Sequence, residues 1–190
     1  MNYTHGYLEL YLGPMWSGKT SELVKIYKRS NHCDIPILAI NYVDDNHYTF
    51  SMITTHDNIS IPCVISKSLS TISDITKNKV TPIFDKAKII LINEGQFFND
   101  ILEWVKCAVD KHKKHIYICG LDGDFKRKVF GHFLELIPLC DKVTKFTTFC
   151  KHCKKHDAIF SHRLGVETDQ IIIGNDYISV CRECYLSLNC

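Results

Sequence analysis

The chain has 190 residues, 45% of them hydrophobic and 23% charged, which supplies a packed core and excludes a disordered or fibrous chain. Its 23 basic and 21 acidic side chains leave a net charge of +2, so no overall field draws it to nucleic acid or acidic lipid, and any anion site must be local. The longest aliphatic run, Ile89-Ile90-Leu91-Ile92, falls far short of the roughly 18 residues a membrane span needs, and the first residues lack the basic start and apolar stretch of a secretory signal, so a soluble, cytoplasmic protein is expected.

The first predicted strand is Tyr7–Leu12. It runs into Gly13-Pro14-Met15-Trp16-Ser17-Gly18-Lys19-Thr20, a match to G-x-x-x-x-G-K-[ST], and a helix carrying Leu23, Val24 and Tyr27 inward starts at about Gly18. Strand, loop and helix stand in the order a phosphate-binding loop requires. Glycines let backbone N–H groups curl around a phosphate, Lys19 reaches the β- and γ-oxygens, and the Thr20 hydroxyl can hold Mg2+. A chance glycine turn is the competing reading. Further strands are predicted at 37–41, 61–65, 87–92 and 115–119. Their alternation with helical segments predicts the α/β class: a parallel sheet of the phosphate-loop, RecA-like kind with helices on both faces.

The strand at 87–92 ends in Asn93-Glu94-Gly95-Gln96-Phe97-Phe98. Functional groups of open α/β sheets gather at the carboxyl ends of strands, so Glu94 is placed facing the phosphates; taken alone, it reads equally as a helix N-terminal carboxylate. Phe98, Ile101, Leu102, Val105, Ala108 and Val109 then recur at helical spacing, followed by Lys111, Lys113 and Lys114 at the helix's C-terminal end.

After Gly120 the rhythm changes, and a cysteine-rich tail begins at about Lys142, which divides the chain into a nucleotide-binding domain at 1–141 and a second unit at 142–190. Among 10 cysteines, Cys150/Cys153 and Cys181/Cys184 form two C-x-x-C pairs, four soft thiolates for a closed tetrahedral Zn2+ site of structural type. Two disulfides are the alternative, and His152 and His156 are near enough to be rival ligands. Cys33, Cys63, Cys107, Cys119 and Cys140 read mostly as small core hydrophobes, and the terminal Cys190 has no assigned role.

Taken together, the sequence resembles the cellular-type (type II) thymidine kinases of vertebrates, bacteria and large DNA viruses over nearly its whole length. The resemblance rests on the Gly13–Thr20 loop, Thr55-His56-Asp57, Glu94-Gly95-Gln96-Phe97-Phe98, the segment from Gly120-Leu121-Asp122-Gly123 to Phe130-Gly131, Ile137-Pro138-Leu139, the four paired cysteines, Arg163-Leu164-Gly165, and Tyr177 ahead of Cys181. It implies transfer of the ATP γ-phosphoryl to the 5′-hydroxyl of thymidine, with Glu94 as general base. It further implies a lasso loop from about Arg163 to Tyr177, anchored by the zinc lobe and closing over the base. Met15, Phe97, Leu121, Phe125, Phe130, Ser161, Ile172, Gly174 and Tyr177 would line the base pocket, with Asp45 and His47 joining the loop on the phosphate side.

Two departures stand out. The family usually has Asp-Glu where this chain has Asn93-Glu94, and an arginine where it has His47. Asp45 would share the magnesium load, and Arg127 or Lys126 would take over at the transferring phosphoryl. The resemblance also implies a homo-oligomer, usually a tetramer, and feedback inhibition by thymidine triphosphate (dTTP). Rival readings are a phosphate-loop ATPase whose zinc lobe grips nucleic acid, disfavoured by the near-neutral charge, and a thymidine-nucleotide sensor without turnover. The basic clusters Lys111–Lys114 and Lys126–Lys128 read as solvated faces.

Overall fold

The computed structural model describes residues 4–43, 49–165 and 177–189. Seven strands form one sheet: β1 (Tyr7–Leu12), β2 (Ile37–Tyr42), β3 (Thr49–Thr54), β4 (Ser60–Ser66), β5 (Ile89–Ile92), β6 (His115–Gly120) and β7 (Lys142–Lys145), in the order β3-β4-β2-β5-β6-β1-β7. Neighbours run parallel except in the β3–β4 pair at one edge. The carboxyl ends of the parallel strands therefore open on a single edge, which gathers the turns after β1, β2, β5 and β6.

Side chains alternate between the faces of a strand, and the core divides accordingly. Leu8, Leu10 and Leu12 of β1 join Ile40, Ile90 and Ile118 on one face. There they meet α4 (Ile101–Asp110), whose buried stripe of Ile101, Trp104, Val105 and Ala108 repeats at helical spacing. The short helices α2 (Leu69–Ile72) and α3 (Pro82–Lys86) add Leu69, Ile72 and Phe84 to that layer. On the other face Tyr11, Ala39, Leu91 and Cys119 pack against Leu23, Val24 and Ile26 of α1 (Lys19–Asn31), with Tyr27 half-buried beside them. Fully burying each such Leu, Ile or Phe contributes on the order of 2–3 kcal/mol.

Beyond β7 lies a smaller unit: β8 (Thr148–Phe149) pairs with β9 (Asp157–Ala158), and β10 (Phe160–Arg163) pairs with β11 (Tyr177–Val180) ahead of α5 (Arg182–Leu188). Among the described residues no helix is long and apolar enough to cross a membrane.

The predicted strands match β1, β2, β4, β5 and β6 to within two residues. Sequence periodicity does not reveal β3 because Phe50 and Met52 point outward, 75% and 49% exposed, which leaves Ile53 as the strand's one buried aliphatic residue. Phe98 is buried as expected but precedes α4, closing a 3₁₀ turn at Gly95–Phe97. Lys114 is no solvated cation. It is 5% exposed, donating to the Asp85 and Ala87 carbonyls at 3.0 and 2.6 Å, with its ammonium 4.7 Å from the centre of the Phe84 ring. Cys63, Cys107 and Cys119 are buried, whereas Cys33 is exposed and Cys140 half-buried. Cys190 lies outside the described residues. The sheet itself continues to Lys145, since β7 pairs with β1.

Burial holds the imidazoles of His112, His115 and His162 below their ordinary value, with Lys114 and Lys111 adding to the effect on His112. The unfolded chain therefore binds more protons than the native one once the pH drops below the unfolded value of about 6.5. This contribution to stability is complete above that pH and disappears as pH falls through the folded values. Thermal unfolding should give a lower Tm at pH 5.5 than at pH 7.5; a Tm that held or rose would contradict this.

Candidate functional site

At the end of β1 the chain turns through Gly13 to Thr20 and enters α1. Gly13 sits at φ 143°, where an added Cβ would stand 2.5 Å from the Phe146 carbonyl oxygen, so only glycine fits. Inside the loop the Pro14 carbonyl accepts from the Ser17 hydroxyl at 2.9 Å and from the Lys19 ammonium at 2.5 Å. Burial pushes the Lys19 ammonium below its ordinary range, while Cys119, Glu94 and Asp122 pull the other way. A cation is thus held at the N-terminus of a 13-residue helix, where free N–H groups and the helix dipole favour an anion. Trp16, at φ 61°, stacks on His56 with ring centres 3.6 Å apart, so the β3–β4 turn covers the loop's outer side.

Glu94 follows β5 directly. Its backbone is left-handed, φ 56°, a conformation costing a non-glycine residue on the order of 1–2 kcal/mol. Hydrogen bonds on either side enforce it: the Asn93 N–H donates to Ile40 at 2.9 Å, and the Phe97 N–H donates to the Glu94 carbonyl at 3.1 Å. Gln96, 2% exposed, donates to the Glu94 carboxylate at 2.6 Å and accepts the Leu121 N–H at 3.0 Å, linking the β5 and β6 turns. Gly131 makes this possible, since a Cβ there would lie 2.1 Å from the Gln96 carbonyl oxygen.

Asn93 sits in an uncharged network. Its amide nitrogen donates to Asn41 at 2.8 Å, and its oxygen accepts from Thr20 at 3.3 Å and Cys119 at 2.9 Å. Burial, with Glu94 nearby, pushes the Cys119 thiol up to about 12, so it remains a neutral donor. A carboxylate at position 93 would have no N–H for Asn41.

These groups open into one cleft of about 410 Å³. Met15, Trp16, Ser17, Gly18, Lys19 and Thr20 line it together with Glu94, Phe97, Leu121, Asp124, Phe125, Phe130, Ser161 and Tyr177. Gly13 and Pro14 are buried behind the lining. Asp45, His47, Ile172 and Gly174 lie outside the described residues.

The rings are braced. Phe97 stacks on Tyr42 at 5.0 Å and meets Phe130 edge-on at 5.3 Å. Arg163, 4% exposed, lays its guanidinium 3.7 Å from the centre of the Phe125 ring and donates to the Tyr177 hydroxyl. Neither Gln96 nor Arg163 was singled out by pattern, although both fall inside quoted motifs; their roles depend on contacts with residues distant in sequence.

The thiol groups of Cys150, Cys153, Cys181 and Cys184 lie within 4.8 Å of one another, brought together by the β8–β9 turn and the start of α5. Four sulfurs about 2.3 Å from a tetrahedral Zn2+ would be spaced about 3.8 Å apart, close to the 3.9 Å between Cys153 and Cys181. Burial raises the Cys150 thiol, but hydrogen bonds from the N–H groups of Cys153, Cys181 and His152 and from the Cys153 side chain bring it down to about 6, whereas burial and the neighbouring thiols push Cys184 up to about 12. His152 and His156 are outside the cluster.

Comparison with known proteins agrees with this geometry. A family model described as thymidine kinase matches residues 6–185. The thymidine kinase of Myxoma virus (strain Uriarra) is 40% identical over 182 residues, covering 95% of this chain and 96% of the relative. That of Yaba monkey tumor virus is 39% identical over 191 residues, covering 100% and 99%. The Vaccinia virus (strain Western Reserve) thymidine kinase is 39% identical over 183 residues, covering 95% and 97%. On a match that spans the loop, the Glu94 turn and all four paired cysteines, this chain belongs to the thymidine kinase family.

Proposed function

We propose that the chain transfers the γ-phosphoryl of ATP to the 5′-hydroxyl of thymidine. The observation that carries this reading is one cleft lined by a lysine-bearing glycine loop, a set of aromatic rings and the Glu94 carboxylate. Loop N–H groups and Lys19 hold the β- and γ-phosphates, which requires Lys19 to exchange the Pro14 carbonyl for phosphate oxygen. Phe97, Leu121, Phe125 and Phe130 hold the flat base. The 5′-oxygen attacks phosphorus, the bond to the β-phosphate oxygen of the departing ADP breaks, and Glu94 accepts the hydroxyl proton.

Thr20 and Asn93 offer neighbouring oxygen donors, 3.3 Å apart, of the kind a hard cation takes. Mg2+ held there would neutralise charge on the phosphate oxygens. The cysteine cluster would hold Zn2+ in a closed, structural role. Replacing Cys181 with serine should release that zinc, read as metal freed into a chromogenic chelator, and should lower the Tm; full zinc retention would contradict the assignment.

Cytoplasmic location, assembly of four copies, division into a nucleotide-binding unit and a zinc unit, and inhibition by dTTP belong to the same reading. The triphosphate would place its base in the thymidine pocket and its phosphates at Lys19, so it should compete with thymidine. The direct test offers labelled ATP and Mg2+ with thymidine, deoxycytidine, single-stranded DNA or no acceptor. Thymidine-dependent monophosphate is expected. Phosphate release stimulated by DNA, or thymidine binding without product, would overturn the proposal.

A further inference from the structure

Two hydroxyls of the β10–β11 pair grip one residue of the glycine loop, Met15, by the peptide groups on either side of it. Ser161 of β10 and Ser179 of β11 are paired across their hairpin. Ser161 accepts the Met15 N–H at 3.2 Å, and the Ser179 hydroxyl donates to the Met15 carbonyl at 2.5 Å. These bonds cross 146 and 164 positions of sequence, and both serines are buried, 5% and 3% exposed, so water does not compete for the partners.

Alternation along the hairpin puts the Arg163–Tyr177 pair on the same face as the serines. The intervening residues Phe160, Ile178 and Val180 pack instead with Cys150, Cys181 and Cys184. One face of the hairpin thus rests on the cysteine cluster while the other holds the loop. Met15 lies between Pro14, whose carbonyl carries Lys19, and Trp16, whose backbone is left-handed. A backbone in such a conformation persists when its surroundings over-determine it, and the serine pair supplies that constraint from outside the loop.

We propose that Ser179 is a positioning residue for phosphoryl transfer. It acts through the Met15 carbonyl, with Ser161 on the N–H, to fix where the loop stands relative to Glu94. Ser179 is not among the residues lining the cleft, so it touches neither substrate. The inference rests on the reading of Gly13–Thr20 as the ATP site, and its test separates the two.

The parent, Ser179→Ala, Ser179→Thr and Ser161→Ala are compared for equilibrium binding of a non-hydrolysable ATP analogue, for kcat and both KM values, and for zinc content. Loss of one hydrogen bond of ordinary strength predicts about fivefold weaker analogue binding and a higher KM for ATP in Ser179→Ala. Ser179→Thr, which keeps the hydroxyl, should stay within about twofold of the parent, and zinc content should not change. Because both serines hold the same residue, the double alanine variant should lose less than the product of the single losses. Parent-like binding by Ser179→Ala, no recovery in Ser179→Thr, strictly independent losses, or zinc loss in Ser179→Ala would each overturn the inference. A parent that bound no analogue would instead remove the reading of the loop, and the inference with it.

Discussion

Lys19→Ala is expected to lower thymidine phosphorylation by about 10³-fold, the upper range for deleting one preorganised charge-stabilising group. Lys19 is the cation at the entrance of α1, and its reach to the Pro14 carbonyl and the Ser17 hydroxyl places it inside the loop that would enclose the phosphates. The alanine variant loses that charge where negative charge moves between the β- and γ-phosphates. Neither of those contacts ties it to the hydrophobic core or the cysteine cluster, so zinc content and cooperative unfolding should be retained. Steady-state rates with metal analysis on the same preparation decide the matter, and activity within tenfold of the parent would remove Lys19 from the mechanism.

The second large effect is expected at Glu94. Replacing the carboxylate with the isosteric amide in Glu94→Gln keeps an oxygen to accept the Gln96 N–H, so the turn and the cleft should hold their shape. What disappears is the proton acceptor, and positioned general bases contribute about 10²–10⁴-fold. The variant should therefore bind thymidine as the parent does while kcat falls by about that factor. Calorimetric titration with thymidine beside initial rates separates binding from chemistry; an unimpaired kcat would require another base.

Both residues were legible in the sequence because their signals are local. A glycine-spaced loop between strand and helix, and a carboxylate at the end of an aliphatic strand, need few long-range contacts to be recognised. Cys150, Cys153, Cys181 and Cys184 were legible for the same reason, spacing alone bringing each pair together. The rest depends on tertiary placement. Lys114 reads as one of several lysines after a helix, yet carbonyls from a distant turn bury it. Asn93 reads as the loss of an acid until Asn41 appears beside it as the acceptor of its N–H. Ser179 carries no motif signal, and its role arises only because the hairpin folds back onto Met15.

On this reading donor and acceptor occupy one cleft together, and the phosphoryl passes directly between them. Initial rates measured with ATP and thymidine both varied test it most directly. Double-reciprocal lines that intersect are predicted, because both substrates must be bound before transfer. Parallel lines, the pattern of a covalent phosphoryl-enzyme formed and discharged in turn, would contradict it.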